Sequence, residues 1–136
     1  MKILVNCILL YLFSSPLYAD VATCVEDYNK AVKERNNAKG SYQMAMNYKK
    51  RAESYEEKKD IRALYTKSLE WVKVALANLL QAEKELEKVK IGGCPATLLE
   101  NVGTLTAKGF SDQDTYDKVR LDLEKKLSLL EQLNGN

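Results

Sequence analysis

The side chains of this sequence that could do chemistry are carboxylates, lysines, tyrosines and three cysteines; histidine is absent. That absence removes the commonest general base and the commonest ligand for zinc or copper. The carboxylates fall mostly in pairs such as Glu26 with Lys30 and Asp122 with Lys126. This i,i+4 spacing marks a solvated helix face rather than an acid and base aimed at a substrate. A glycine-rich phosphate loop, a nucleophile elbow and a Cys-x-x-Cys pair are all lacking. The chain is therefore read as a non-enzyme, with no catalytic, cofactor-binding or metal-binding residues assigned.

Cysteine is the exception. Met1-Lys2, the apolar run Ile3 to Phe13 and Ser14-Ser15-Pro16-Leu17-Tyr18-Ala19 have the layout of a secretory signal peptide spanning 1–19. The apolar run is shorter than the roughly 20 residues a membrane-crossing helix needs. Cleavage after Ala19 removes Cys7 and leaves Cys24 and Cys94, which an oxidising compartment would join. Cleavage also removes Lys2, leaving 20 basic against 19 acidic residues, a formal charge of +1 on 117 residues (136 less 19). Near-neutral charge gives little steering towards nucleic acid, which is excluded as a partner, and the mature chain is read as having no integral membrane span.

Aromatic placement carries the remaining signal. Tyr48, Tyr55, Tyr65 and Trp71 are the candidate partner-binding residues, because tyrosine and tryptophan are enriched where proteins meet. The competing reading is that these rings pack between helices beside alanines. The basic tract Lys49-Lys50-Arg51 is interleaved with Glu53, Glu56, Glu57 and Asp60, which makes a mixed solvated surface.

Long helices must position these residues, since residues 20–91 contain Gly40 as the one glycine before Gly92 and no proline. Cys24, Ala31, Ala38, Ala45 and Ala52 recur at sevens, with Tyr28, Arg35, Tyr42 and Lys49 at sevens beside them. A stripe of small residues lets a second helix approach closely. That second run carries Leu69, Val72, Leu76, Leu79 and Leu86 on one face, with Ala75, Ala82 and Val89 alongside. The apolar-free segment Glu56 to Asp60 predicts a turn near Lys59, which is 35 residues from Cys24 and 35 from Cys94. An antiparallel hairpin over about 20–91 would bring the cysteines together, whereas a break at Gly40 would hold them roughly 40 Å apart.

Beyond Cys94, Pro95 suits the start of a short helix over about 95–108, stopped by a left-handed cap at Gly109 and covered by Phe110. Ser111-Asp112-Gln113-Asp114 resembles a capping box opening another helix over about 112–133. The expected fold is all-α: one domain, 20–136, built as a long coiled-coil-like hairpin with two shorter C-terminal helices packed at its open end.

Gly40-Ser41-Tyr42-Gln43-Met44-Ala45, with Tyr48 and Ala52, resembles the second helix of a tetratricopeptide repeat over 13 residues (40 to 52). The resemblance implies a concave peptide-binding or inhibitor module. Asn29, Val32 and Lys33 depart from that family's first helix, Glu57 replaces its proline, and no second copy follows. The leading expectation is a periplasmic, or else secreted, binding or scaffold component of a bacterial envelope, contacting another envelope protein. A homo-oligomer is compatible with it. A third reading is a membrane-tethered coiled coil whose segment 1–19 is retained.

Overall fold

In the computed structural model, which describes residues 20–54 and 58–135, the chain forms three long helices. They are α1 (Val21–Ser54), α2 (Lys58–Ile91) and α3 (Ala96–Asn134), and the described residues contain no strand. The expected signal peptide, 1–19, and Tyr55 lie outside the described residues.

Asp20 starts α1: its carboxylate accepts a 3.3 Å hydrogen bond from the Ala22 N–H, and its carbonyl accepts the Cys24 N–H at 3.0 Å. An aspartate there satisfies donors that the first turn otherwise leaves orphaned. The helix then runs through Gly40 without the break that the tetratricopeptide-like reading needs. One glycine costs about 1 kcal/mol of helix propensity, and five buried positions at intervals of seven along the same helix outweigh it. Cys24, Ala31, Ala38, Ala45 and Ala52 are all essentially inaccessible.

α1 packs mostly against α2. Opposite the alanine stripe α2 sets Tyr65, Ser68, Val72, Ala75, Leu79, Ala82, Leu86 and Val89, alternating at steps of three and four, with Leu64 beside Tyr65. This assigns the alanines and Val89 of α2 to the α1 seam, while Leu69 and Leu76 are partly buried and turn towards α3. The pairings run in opposite chain directions: Cys24 meets Val89 and Cys94 at one end, and Ala52 meets Leu64 and Tyr65 at the other. Between them buried Ser68 donates a 2.7 Å hydrogen bond to the Ala45 carbonyl, so this hydroxyl in the seam is satisfied. Cys24 and Cys94 are joined by a disulfide with Cα atoms 5.8 Å apart. Lys59, where the sequence predicts the turn, lies in the first turn of α2, which begins at Lys58; residues 55–57 lie outside the described residues.

The C-terminal region departs further from expectation. Instead of helices over 95–108 and 112–133 at the open end, α3 is one helix running along the other two, from beside the disulfide to beside Glu53 and Arg62. Gly109 adopts no left-handed cap; among the described residues only Gly93, in the tight turn before Cys94, has positive φ, 69°. The apolar stripe of α3 continues through Leu98, Val102, Leu105, Tyr116, Val119, Leu123, Leu127 and Leu130, and positions 109 and 112 fall in the same stripe. The expected capping box does not form: Ser111 lies inside the helix with its carbonyl accepting the Thr115 hydroxyl, Asp114 pairs with Lys118 at 2.6 Å, and Asp112 pairs with Arg35 of α1 at 2.7 Å. Burial of the stripe on both sides of the polar interruption outweighs one glycine and a local capping alternative.

Candidate protein-binding face

The stripe Tyr28, Arg35, Tyr42 and Lys49 is the edge of α1 that meets α3. Tyr28 packs against the cluster holding Val102, Leu98 and Leu105. Arg35 pairs with Asp112 at 2.7 Å, Tyr42 stacks on Tyr116 with ring centroids 4.1 Å apart, and Lys49 pairs with Asp122 at 2.8 Å. α3 rests mainly on α2, so these long side chains form rungs across a wider α1–α3 gap. Beside the Arg35 rung a cleft of about 390 Å³, counted with its open mouth, lies between Leu79, Leu86, Leu105 and Gly109. It exists because position 109 brings no side chain to the seam.

The rungs account for the perturbed groups. Burial pushes the Tyr116 phenol up, with the Asp112 carboxylate and Tyr42 adding to it. A hydrogen bond from Lys49 holds the Asp122 carboxyl below its ordinary value against the opposing effect of burial, and Lys126, 3.0 Å away, adds to the lowering. Burial works against the charge of Lys126, yet hydrogen bonds to Asp122 and Glu53 raise its pKa overall. On α2, buried Glu85 is held ionised chiefly by a hydrogen bond from Lys88, 2.8 Å away, supported by Gln81. Each of these carboxylates is engaged by a cation, as structural ion pairs are. Among the described residues no group of three His, Cys, Asp or Glu side chains could hold a metal ion, and no helix is long and apolar enough to cross a membrane.

The four aromatic candidates separate. Tyr65 is 8 % exposed, built into the cluster of Ala45, Ala52, Val72 and Leu123, with the Lys126 ammonium 5.5 Å from its ring centre. Its ring is part of the core. Tyr48 and Trp71 lie elsewhere, on the flank of the α1–α2 pair remote from α3. Tyr48 follows Ser41 at seven residues, on the other side of the alanine stripe from the α3-facing edge. Its ring is covered by the Arg51 guanidinium at 5.5 Å and by Lys67 of α2 at 5.7 Å, which ties the two helices' outer edges to one surface.

Sequence reasoning missed two residues on that flank. Met44 is 39 % exposed and Val74 44 %, beside Trp71 at 36 %. With Ala45 opposite Ser68 in a pair of opposite chain direction, Ser41 stands about level with Val72, between Trp71 and Val74, and Met44 about level with Leu69. One surface therefore gathers Met44, Tyr48, Trp71 and Val74, with cations Arg51 and Lys67 towards Ser54 and a mixed set, Lys30, Glu34, Gln81, Glu85 and Lys88, towards the disulfide. Trp71 and Val74 fall outside both the α1-facing and the α3-facing stripes of α2, and among the described residues they remain exposed.

No family model, curated protein or solved structure matches this chain.

Proposed function

We propose that the protein is an exported, non-enzymatic binding or scaffold component of a bacterial envelope, in which α1 and α2 form a coiled-coil-like hairpin stapled at its open end. Its docking surface is the face remote from α3. The single observation that carries this reading is the exposed cluster of Trp71, Val74 and Met44 beside Tyr48 on one side of a helix pair whose other side is covered. A two-helix layer that leaves apolar side chains exposed accepts another helical surface in the way its opposite face accepts α3. Export is supported by the composition of residues 1–19 and by the Cys24–Cys94 bond, which suits an oxidising compartment.

A photo-activated crosslinking amino acid placed at position 71 in exporting cells tests the docking face, with position 39 on the α3 side as control. A discrete protein adduct from 71, absent from 39 and lost when Val74→Asp is added, is expected. Adducts from neither position, or equally from both, would remove the reading. Intact mass of the exported chain separates cleavage after Ala19 from a retained membrane tether.

A further inference from the structure

We propose that the cleft between α2 and α3 at Gly109 binds a small neutral molecule whose apolar body carries one carbonyl oxygen, such as an aryl or short alkyl ketone, ester or amide. The site is separate from the docking face and does not depend on it. The cleft holds about 390 Å³ counted with its open mouth, near the small end of the roughly 300–1,000 Å³ of sites that take small ligands. Leu79, Ala82 and Leu86 form its buried side, and Glu83, Phe110 and Gln113 its exposed rim.

Two observations point to a ligand. The first is a donor left over in the cleft wall. Arg35 donates from Nη2 to Asp112 at 2.7 Å, whereas its Nε–H is buried and meets no acceptor among the described residues. A buried donor left unmade is costly, and native interiors hold few of them. Thr106, also in the wall, gives its hydroxyl hydrogen to the Val102 carbonyl at 2.8 Å. The second observation is the glycine. A Cβ on Gly40, Gly103 or Gly109 would meet nothing within 4 Å, but the first two lie on exposed helix surface while Gly109 is half-buried in the seam. Its φ is not positive, so the backbone does not require glycine there. What the missing side chain leaves is the open cleft. An oxygen beside Arg35 takes the Nε–H, with the apolar body against Leu79, Leu86 and Leu105. A carboxylate suits the site less, because Asp112 already meets the charge of Arg35 and Glu83 stands at the rim. A carbonyl also brings no hydrogen of its own that needs an acceptor.

Titration of the purified, disulfide-intact chain with acetophenone, ethylbenzene and benzoate, followed by the amide resonances of Gly109 and Phe110, decides it. Acetophenone should bind saturably with a Kd below about 1 mM, and benzoate should not bind. Ethylbenzene keeps the shape and lacks the oxygen, so the ratio of the two neutral probes' affinities reads the contact to Arg35. That ratio should fall at least about tenfold in Arg35→Met combined with Asp112→Asn, the loss expected for a hydrogen bond from a charged donor. The second change avoids leaving a lone carboxylate, and circular dichroism checks the helices. Gly109→Leu should fill the cleft, abolishing binding of both neutral probes while raising the melting temperature, so that lost binding is not lost folding. No saturable shift with either neutral probe, the result for a cleft that holds water only, would overturn the inference. So would binding that survives Gly109→Leu, an affinity ratio unchanged without the guanidinium, or benzoate bound more tightly than acetophenone.

Discussion

At the end near Cys24 the helices are joined by a covalent bond and by Ala31, Leu86, Val89 and Val102, whereas near Ala52 they are held by Leu64, Tyr65 and Leu123 with Lys49, Asp122, Lys126 and Glu53 around them. The covalent bond at the first end is chemistry that pH and salt do not reach. The second combines a fully buried leucine with ion pairs whose side chains remain partly exposed, so part of its stability depends on solution conditions. Both ends bury alanines of the same stripe to the same extent, and the difference lies in what surrounds them.

Four changes test that contrast. Replacing Cys24 and Cys94 together by serine should cost about 4 kcal/mol in the chain-entropy model, because the bond closes a loop of 70 residues. Urea denaturation measures this, and amide exchange should rise first around Val89 and Val102 while the Leu123 region keeps its protection. Equal loosening at both ends would show that the bundle has no separable halves. Leu123→Ala should cost about 3 kcal/mol, since the side chain is wholly buried between Ala45, Val72 and Tyr65. Here the distal end should exchange first, reversing the pattern seen without the disulfide.

Gly109→Ala should raise stability by about 1 kcal/mol, read as an increase in melting temperature. A Cβ at this position meets nothing within 4 Å, and alanine removes the glycine penalty inside a helix. A loss instead would mean that α3 needs freedom at the cleft. The smallest effect belongs to Asp122→Asn, about 0.5 kcal/mol at neutral pH after screening of a partly exposed pair, and it should shrink further in high salt. The folded-state pKa of Asp122 lies below its unfolded value, so its contribution is present above the ordinary carboxylate range and lost as pH falls through about 4 and below. The variant's stability should therefore depend less on pH in that window, and the two curves should meet at the acid end.

The fold was legible where the pattern was regular, and the turn and α3 show where regularity ran out. Around Gly109 and Ser111 the local chemistry of the sequence favours a stop and a fresh cap, and burial of the apolar stripe on both sides, with Asp112 paired to Arg35 across the seam, carries the helix through. The candidate face was half legible. Tyr48 and Trp71 are named by residue type, but Tyr65 looks the same in sequence and is buried, because its exposure depends on which side of α2 receives α3. Met44 and Val74 carry no chemical signal of their own, and become informative only once the opposite side of the pair is covered.

Leaving open whether α1 continues through Gly40, the sequence by itself determined an all-helical chain, the alanine seam between its first two helices and the meeting of Cys24 with Cys94. Each of these follows from heptad spacing, helix propensity and the reach of a helix at 1.5 Å per residue, which are properties of one or two segments alone. Tertiary structure decided that α3 is unbroken, that it lies along the Tyr28-to-Lys49 edge of α1, and therefore which aromatic rings are interior. Those outcomes depend on a third surface competing for the same side chains: burial of the Leu98-to-Leu130 stripe and the Arg35–Asp112 pair exist only after α1 and α2 have formed the groove.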